Sequence, residues 1–150
     1  MKIFISNDPN KTELAGRLLG EIIRNKAKKM PRPLVVAIVG ELGSGKTTFI
    51  KGLFKGVGIK GRIFSPTFVI YRRFSIKNKV KSFKNIFHID AYRLKKKEAT
   101  IDELSRILAD PQNILIIEWA DKIKQIIPPN AFWLVFERGR SINERIIKIK

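Results

Sequence analysis

The chain contains no cysteine, a single histidine and few acidic residues. Without cysteine it has neither a disulfide framework nor a thiolate metal site. It also has no apolar run of the length that a membrane span needs, and its opening segment, 1–6, carries too few apolar residues for a signal peptide. These absences predict a soluble protein of the cytoplasm with no membrane association.

The shortage of acidic residues leaves a large positive charge. Aspartate and glutamate number 13 against 31 lysines and arginines, which gives a formal net charge of +18. Such a charge is compatible with binding to nucleic acid, where neutralisation of phosphates dominates affinity. The basic residues are nevertheless spread along the chain, and runs of charge are usually solvated faces. Charge alone leaves direct contact with nucleic acid open.

Length and composition predict one globular domain over residues 1–150. The hydrophobic fraction of 44% and the charged fraction of 29% are ordinary for a soluble globular protein. A chain of this length is able to bury a substantial core. No internal repeat, linker or low-complexity segment interrupts it.

The most informative stretch is a buried strand followed by a glycine-rich loop. Leu34–Val39 is an unbroken apolar run of the kind found in parallel strands that are covered on both faces. The next residues, Gly40-Glu-Leu-Gly-Ser-Gly-Lys-Thr47, fit the motif G-x-x-x-x-G-K-[ST] in full, and a helix can continue over 48–54. This order of strand, loop and helix predicts a P-loop that binds nucleotide phosphates.

The residue types of this motif follow from its chemistry. Glycines allow the backbone N–H groups to converge on phosphate oxygens, and the helix that begins near Lys46 adds its positive dipole end. The Lys46 ammonium is expected to bridge the β- and γ-phosphates, and the Thr47 hydroxyl to bind Mg²⁺.

The remaining elements alternate between strands and helices. A helix over 12–28, capped by Asn10 or Thr12, carries one apolar stripe of Leu14, Leu18 and Ile22, with Ile23 as a further candidate. Strands over 68–76 and 82–89 with a turn near Asn78 predict an antiparallel hairpin. The further predictions are a first strand over 2–6, a helix over 100–109, a strand over 114–117, a short helix over 121–127, and final strands over 132–136 and 145–149.

Two acids close predicted strands. Asp90 follows the strand 82–89, where a P-loop protein places a second Mg²⁺ anchor, and Glu118 follows the strand 114–117. Glu118 can orient water for attack on the γ-phosphate or hold Mg²⁺ through water. His88 shares a strand face with Asp90, and a structural role is favoured for it over a catalytic one. Trp119 fits core packing better than stacking or contact with a partner.

The segment Ser65-Pro-Thr-Phe68 leaves two interpretations open. Thr67 belongs either to a turn with a satisfied hydroxyl or to a switch-like loop that senses the γ-phosphate or Mg²⁺. Guanine specificity is not predicted, because Asp90 lacks a glycine three residues later and Asn78-Lys-Val-Lys81 lacks the aspartate of the guanine-reading motif. Adenine is therefore the expected base. The basic run 77–84 could imitate the lid of a small-molecule kinase, but nothing marks a substrate pocket.

Taken together, four blocks resemble the TsaE (YjeE) family, the bacterial ATPase that is required for the threonylcarbamoyladenosine modification of tRNA. The blocks are the P-loop, Ser65-Pro-Thr-Phe68, His88-Ile-Asp-Ala-Tyr-Arg93 and Ile117-Glu-Trp119, in the family's order and spacing. The resemblance covers essentially the whole chain. Its departures, Ala91 and Ala120, do not carry the chemistry, and the variable final segment gives no role to Arg138 or Arg140.

The resemblance implies an α/β P-loop NTPase, a three-layer α/β/α fold with a mixed, largely parallel sheet that includes an antiparallel hairpin. It implies ATP and Mg²⁺ as cofactors, the TsaB and TsaD proteins as partners, tRNA contacted directly or through that complex, and carbamoyl-transfer chemistry that belongs to TsaD. Hydrolysis by the isolated chain is expected to be slow, because no arginine finger is identifiable in it. The other possible functions are a small-molecule P-loop kinase and an ATP-gated tRNA-binding module.

The resemblance also assigns the site residue by residue. Glu118, Lys46 and Asp90 are expected to act in catalysis, and Thr47, Asp90 and Glu118 to lie at the metal. Thr48 is expected near the α-phosphate and Thr67 near the γ-phosphate. The expected nucleotide-binding residues are Glu41, Leu42, Gly43, Ser44, Gly45, Lys46, Thr47, Thr48 and Thr67.

Overall fold

A computed structural model describes residues 2–26, 31–61, 71–76, 83–94 and 98–150. Its three α-helices pack on one mixed sheet, and two 3₁₀ helices, Ala91–Arg93 and Ala120–Ile126, follow strands. In chain order the elements are β1 (Lys2–Ser6), α1 (Pro9–Lys26), β2 (Leu34–Gly40), α2 (Lys46–Val57), β3 (Tyr71–Ser75), β4 (Asn85–Asp90), α3 (Glu98–Ala109), β5 (Asn113–Glu118), β6 (Phe132–Arg138) and β7 (Arg145–Ile149).

The seven strands form one sheet in the order β1-β7-β6-β2-β5-β4-β3. Its central strands β6, β2, β5 and β4 run parallel, while β1 and β7 at one edge and β3 at the other pair antiparallel with their neighbours. The predicted mixed α/β sheet and its antiparallel hairpin, β3 with β4, are confirmed. The predicted turn near Asn78 lies outside the described residues.

Each face of the sheet has its own apolar core. Alternate residues of β2 point to opposite faces, so Val36 and Ile38 pack beneath α1 and α2, while Val35 and Ala37 pack beneath α3 and the 3₁₀ helix Ala120–Ile126. The central strand β5 is buried along its whole length. These continuous apolar strands are the reason that parallel pairing was predictable at the sheet centre.

The apolar stripe predicted on the first helix does not face the core. Leu14, Leu18 and Ile22 are 52%, 50% and 52% exposed, whereas Gly16 and Gly20 are buried. The helix turns its small residues inward because they allow its backbone to lie directly against α2. The expected apolar stripe was therefore wrong as the buried face of this helix, except at Ile23, which does lie in the core.

The contact between α1 and α2 is made by glycines on both helices. A Cβ atom added at Gly16 or Gly20 would lie 1.9 Å from the Phe49 carbonyl oxygen or 2.2 Å from that of Leu53. Glycines at 52 and 56 of α2 meet the backbone of α1 equally closely. Since α2 begins at the P-loop, this contact fixes α1 to the helix that carries the P-loop.

The first helix also begins earlier than predicted. Asp8, not Asn10 or Thr12, is its cap, with its carboxylate oxygen accepting the Lys11 N–H at 2.9 Å. Pro9 occupies the first helical position, where its missing N–H and fixed φ are favourable. Thr12 instead forms a buried hydroxyl pair with Ser6 at 2.8 Å. No helix in the described ranges combines the length and apolar content needed to cross a bilayer.

We expect Gly20→Ala to destabilise the fold, although alanine is the better helix former by about 1 kcal/mol. The added methyl group would force α1 away from the Leu53 carbonyl oxygen, and overpacking of this kind typically costs about 1–3 kcal/mol. The matched control, Leu18→Ala on the exposed face, should change the free energy of unfolding by roughly 0.5 kcal/mol or less. Urea unfolding of both variants measures the difference. Equal stability of Gly20→Ala and the wild type would contradict the close helix contact.

Candidate nucleotide-binding site

The glycine-rich loop joins the carboxyl end of β2 to the start of α2. Gly43 and Gly45 adopt φ values of 75° and 95°, in the left-handed region that favours glycine. Gly45 is the N-cap of α2, and no side chain of the described residues caps this helix. The first N–H groups of α2 are thus left for an anion, which is the arrangement that the motif predicted.

Two carboxylates lie beside this loop because of strand register. Glu118 on β5 pairs with Ile38 on β2, and Asp90 on β4 pairs with Glu118. The acids are 8% (Asp90) and 4% (Glu118) exposed. The structure therefore brings both predicted acids to the edge of the sheet that carries the P-loop.

Lys46 lies between the loop and the acids. Its Nζ donates hydrogen bonds of 2.7 Å to the carbonyl oxygens of Gly40 and Glu41 and sits 4.3 Å from the centroid of the Trp119 ring. Burial lowers the pKa of Lys46, while the attraction of Glu118 and of other nearby carboxylates opposes that shift. The ammonium is thus partly desolvated and placed where phosphate oxygens would replace its carbonyl partners.

Asp90 is held in a setting that disfavours its charge. Loss of water on burial has the largest effect and raises the pKa of Asp90. The Tyr92 N–H, which donates to the carboxylate at 3.1 Å, lowers that pKa, and the negative charge of Glu118 raises it further. The result is a raised pKa for Asp90. A cation bound beside the two acids would relieve this unfavourable charge.

A cavity of about 470 Å³ opens over these groups. Its size is within the range of small-molecule sites. Among the predicted residues, its wall contains Leu42, Gly43, Gly45, Lys46, Thr47, Thr48, Asp90 and Glu118. Glu41 and Ser44 do not line it: Glu41 contributes its carbonyl to Lys46, and Ser44 is buried with an unpartnered hydroxyl. Thr67 lies outside the described residues.

Several wall residues were not predicted from the sequence. Pro9 and Thr12 come from the start of α1, Asn143 comes from the β6–β7 connection, and Arg145 is the first residue of β7. No local motif marks these positions, because the fold alone brings them to the P-loop. Arg138, for which no role was predicted, donates a 2.7 Å hydrogen bond to the Leu42 carbonyl oxygen and so braces the loop from outside.

Trp119 is the one non-glycine residue with positive φ among the described residues, at 55°. Such a conformation is strained for an aromatic residue and is common beside functional sites. The ring packs 5.0 Å from that of Tyr92 and lies beneath the Lys46 ammonium. It is half-buried against the core and also forms part of the cavity wall. The packing interpretation of Trp119 is confirmed, while stacking on a ligand or contact with a partner stays a prediction.

The oxygen atoms of the site suit magnesium. Thr47, Asp90 and Glu118 supply a hydroxyl and two carboxylates on the cavity wall. No group of three histidine, cysteine or acidic side chains with metal-site geometry occurs within the described ranges. Mg²⁺ is bound in proteins by one or two carboxylates together with water and substrate phosphates. The donor set fits this mode of binding rather than an all-protein cage.

His88 is completely buried behind Glu118 and does not reach the cavity. Its Nε2 lies 2.8 Å from the Glu118 Oε1 atom. A direct catalytic contact of this histidine with nucleotide is therefore excluded by its position.

Comparison with known proteins identifies relatives over most of the chain. The model of the family described as "Threonylcarbamoyl adenosine biosynthesis protein TsaE" matches residues 6–147. A tRNA threonylcarbamoyladenosine biosynthesis protein TsaE from Streptomyces coelicolor is 33% identical over 71% of this chain and 70% of its own length. The protein of that name from Synechocystis is 30% identical over 82% of this chain and 73% of its own length. The one from Haemophilus influenzae is 33% identical over 65% of this chain and 58% of its own length.

A solved structure has the same fold. The crystal structure of Bacillus subtilis YdiB superposes with a TM-score of 0.72 at 24% sequence identity. The superposition covers 99% of this chain and 83% of that one. The arrangement of seven strands and packed helices is thus shared with an experimentally determined structure.

The raised pKa of Asp90 generates a test by stability. Ionised Asp90 lowers the free energy of unfolding, because the folded state disfavours the charged carboxylate. This loss of stability is absent below the ordinary carboxyl pKa and appears as pH rises through the raised pKa. We expect Asp90→Asn, which keeps the oxygen that accepts the Tyr92 N–H, to melt at the wild-type temperature or higher at pH 7. The difference should vanish near pH 3.5.

Thermal melts in EDTA measure this effect. The matched control is Asp102→Asn, at an exposed aspartate of α3, for which we expect no change in melting temperature. A lower melting temperature of Asp90→Asn than of the wild type at pH 7 would show that ionised Asp90 stabilises the fold, contrary to this prediction.

Proposed function

Because the chain belongs to the TsaE family, we propose that it is an ATPase that binds and hydrolyses ATP with Mg²⁺ in support of the threonylcarbamoyladenosine modification of tRNA. The observation that carries this proposal is the convergence of Lys46, Asp90 and Glu118 on one cavity beside a complete P-loop. A glycine-rich turn without a function would not require two buried carboxylates next to a buried lysine, since each charge is costly to desolvate.

Phosphate binding is assigned to the loop and to the start of α2. The loop's backbone N–H groups and the positive end of the helix dipole attract the phosphates, apart from the Ser44 N–H, which is donated to the Glu41 carbonyl oxygen at 3.2 Å. Lys46 adds a point charge when its ammonium exchanges the Gly40 and Glu41 carbonyls for phosphate oxygens. The exchange is favourable because a phosphate oxygen carries a full negative charge that attracts the ammonium, whereas a carbonyl oxygen carries only a partial one.

Metal binding is assigned to Thr47, Asp90 and Glu118. The ion, when bound, neutralises charge on the β- and γ-phosphates. The two carboxylates contribute negative charge that the protein otherwise holds at a cost, as the raised pKa of Asp90 indicates. Magnesium and the acids therefore stabilise each other in the proposed site.

Glu118 is the proposed hydrolytic residue. Its carboxylate lies on the cavity wall at the end of a fully buried strand, where it can accept a proton from, or orient, an attacking water. Phosphoryl transfer depends mainly on positioning and electrostatic stabilisation, so an accurately held carboxylate is sufficient for this role.

The partners follow from the family and stay part of the proposal. We expect the protein to act with TsaB and TsaD in the cytoplasm, with tRNA contacted directly or through the complex. Turnover by the isolated chain should be slow. Arg145, on the cavity wall, is tied to the β6–β7 connection through Nη1, which donates to the carbonyls of Ile142 and Glu144 at 2.8 Å. These bonds make Arg145 less available as an arginine finger, so we expect TsaB and TsaD to stimulate turnover.

The role of Lys46 is tested by binding. We expect Lys46→Ala to weaken ATP–Mg²⁺ affinity roughly 10- to 100-fold, because it removes hydrogen bonds to a charged group worth about 1.5–3 kcal/mol. Lys51→Ala, an exposed lysine of the same helix, is the matched control and should bind normally. Titration calorimetry measures both. Unchanged affinity of Lys46→Ala would remove this lysine from the phosphate site.

The role of Glu118 is tested by turnover. We expect Glu118→Gln to bind ATP as the wild type does and to lose roughly 100-fold or more in phosphate release, since the amide cannot take up a proton. The assay is run with the protein alone and with TsaB and TsaD added. Glu21→Gln serves as the control, since this half-buried glutamate of α1 pairs with Arg17 and does not line the cavity.

Full turnover in the Glu118→Gln protein would exclude Glu118 from the mechanism. A phosphorylated small molecule in place of free phosphate would favour the kinase alternative. Absence of hydrolysis with the partners present would contradict the ATPase and favour the ATP-gated tRNA-binding module that the net charge of +18 suggests. Steeply salt-dependent tRNA affinity would then identify that module.

A further inference from the structure

His88 lies behind the proposed site, and the proposed hydrolysis gives it no role. Its side chain is 0% exposed, and it stands two residues before Asp90 on the same face of β4. The neighbouring strand β5 runs parallel and places Glu118 beside Asp90. The imidazole consequently points at the Glu118 carboxylate from the interior of the protein.

The contact between the two side chains is a buried hydrogen bond. The His88 Nε2 atom lies 2.8 Å from the Glu118 Oε1 atom, and both side chains are almost fully buried. A hydrogen bond to a carboxylate in such a low-dielectric setting is stronger than the same bond at the surface. It also fixes the direction of the carboxylate, because the histidine is itself immobilised by the core.

The other ring nitrogen determines which tautomer is present. Nδ1 is buried and has no hydrogen-bond partner within the described ranges, and the ring lies against Phe54 of α2 with centroids 5.7 Å apart. A proton on Nδ1 would have no acceptor among the described residues. The proton therefore belongs on Nε2, where the Glu118 carboxylate accepts it.

Packing alone does not account for this residue. A buried nitrogen without a partner costs free energy that an apolar side chain of similar volume would avoid. The compensating interaction is the bond from Nε2 to Glu118. The residue type is thus explained by what it does to the carboxylate rather than by the space that it fills.

We propose that His88 is a positioning residue, which donates its Nε2 proton to Glu118 and holds that carboxylate in the direction needed for hydrolysis. The proposal rests on the proposed function, in which Glu118 orients the attacking water. His88 does not touch nucleotide or water in this role. It acts through Glu118 alone, so its contribution should appear in turnover and not in ATP affinity.

The hydrogen bond is tested without nucleotide. Since His88 is the only histidine of the chain, ¹⁵N–¹H correlation spectra of the imidazole give one unambiguous set of signals. We expect the Nε2–H tautomer in the wild type and a clear displacement of the Nε2–H signal in Glu118→Gln. An Nδ1–H tautomer, or signals that do not respond to Glu118→Gln, would overturn the proposal.

The positioning role is tested by a pair of amide variants. His88→Gln keeps a donor near the position of Nε2, whereas His88→Asn has one only near Nδ1. We expect His88→Asn to lower kcat by roughly 10- to 100-fold, the usual effect of losing a hydrogen-bond donor that orients a site residue, and to leave ATP affinity unchanged. His88→Gln should recover most of that loss. In a Glu118→Gln background, neither change at 88 should lower kcat further.

Equal losses in His88→Gln and His88→Asn, or a loss that persists in the Glu118→Gln background, would mean that the histidine acts only through packing and would overturn the proposal. If the wild type releases no phosphate with TsaB and TsaD present, the proposed function fails instead. The imidazole spectra remain decisive on whether His88 holds Glu118, including where a variant at 88 does not fold.

Discussion

The register of three parallel strands is the constraint on which the site depends. Ile38 on β2 lies beside Glu118 on β5, and Glu118 lies beside Asp90 on β4. Side chains alternate along a strand, so a slip of one residue would turn an acid to the opposite face of the sheet. The apolar residues buried on both faces prevent that slip. The same packing that forms the core therefore determines the distance between the two carboxylates and the P-loop.

The site is charged before anything binds to it, and that charge is unfavourable. Burial lowers the pKa of Lys46 and raises that of Asp90, and the attraction of Glu118 and Asp90 for the Lys46 ammonium only partly offsets its loss of water. A ligand that carries both negative phosphate and a divalent cation would supply partners for the lysine and for the acids at once. Poorly solvated titratable groups with shifted pKa values of this kind are common at functional sites. Donation from His88 to Glu118 adds direction to this arrangement.

The parts of the site that were predictable are those written into local sequence. The P-loop motif, and an acid that closes a buried strand at Asp90 and again at Glu118, are recognisable because their chemistry restricts the residue types within a few positions. Apolar periodicity gave the strands correctly and the face of α1 wrongly. A pattern of apolar residues cannot show that Gly16 and Gly20 allow α1 to lie closer to α2 than leucine would. Residues such as Arg145, remote in sequence from the loop, required the fold itself.

The glycine contact explains why a helix outside the minimal P-loop core takes part in the site. Gly16 and Gly20 hold the axis of α1 against α2, so the start of α1 is fixed relative to the start of α2. Thr12 accordingly reaches the cavity wall, supported by its buried hydroxyl pair with Ser6 at the end of β1. A larger residue at the contact would displace the whole helix and not one side chain. The geometry of the cavity is thus set as much by two glycines four residues apart as by the glycine-rich loop itself.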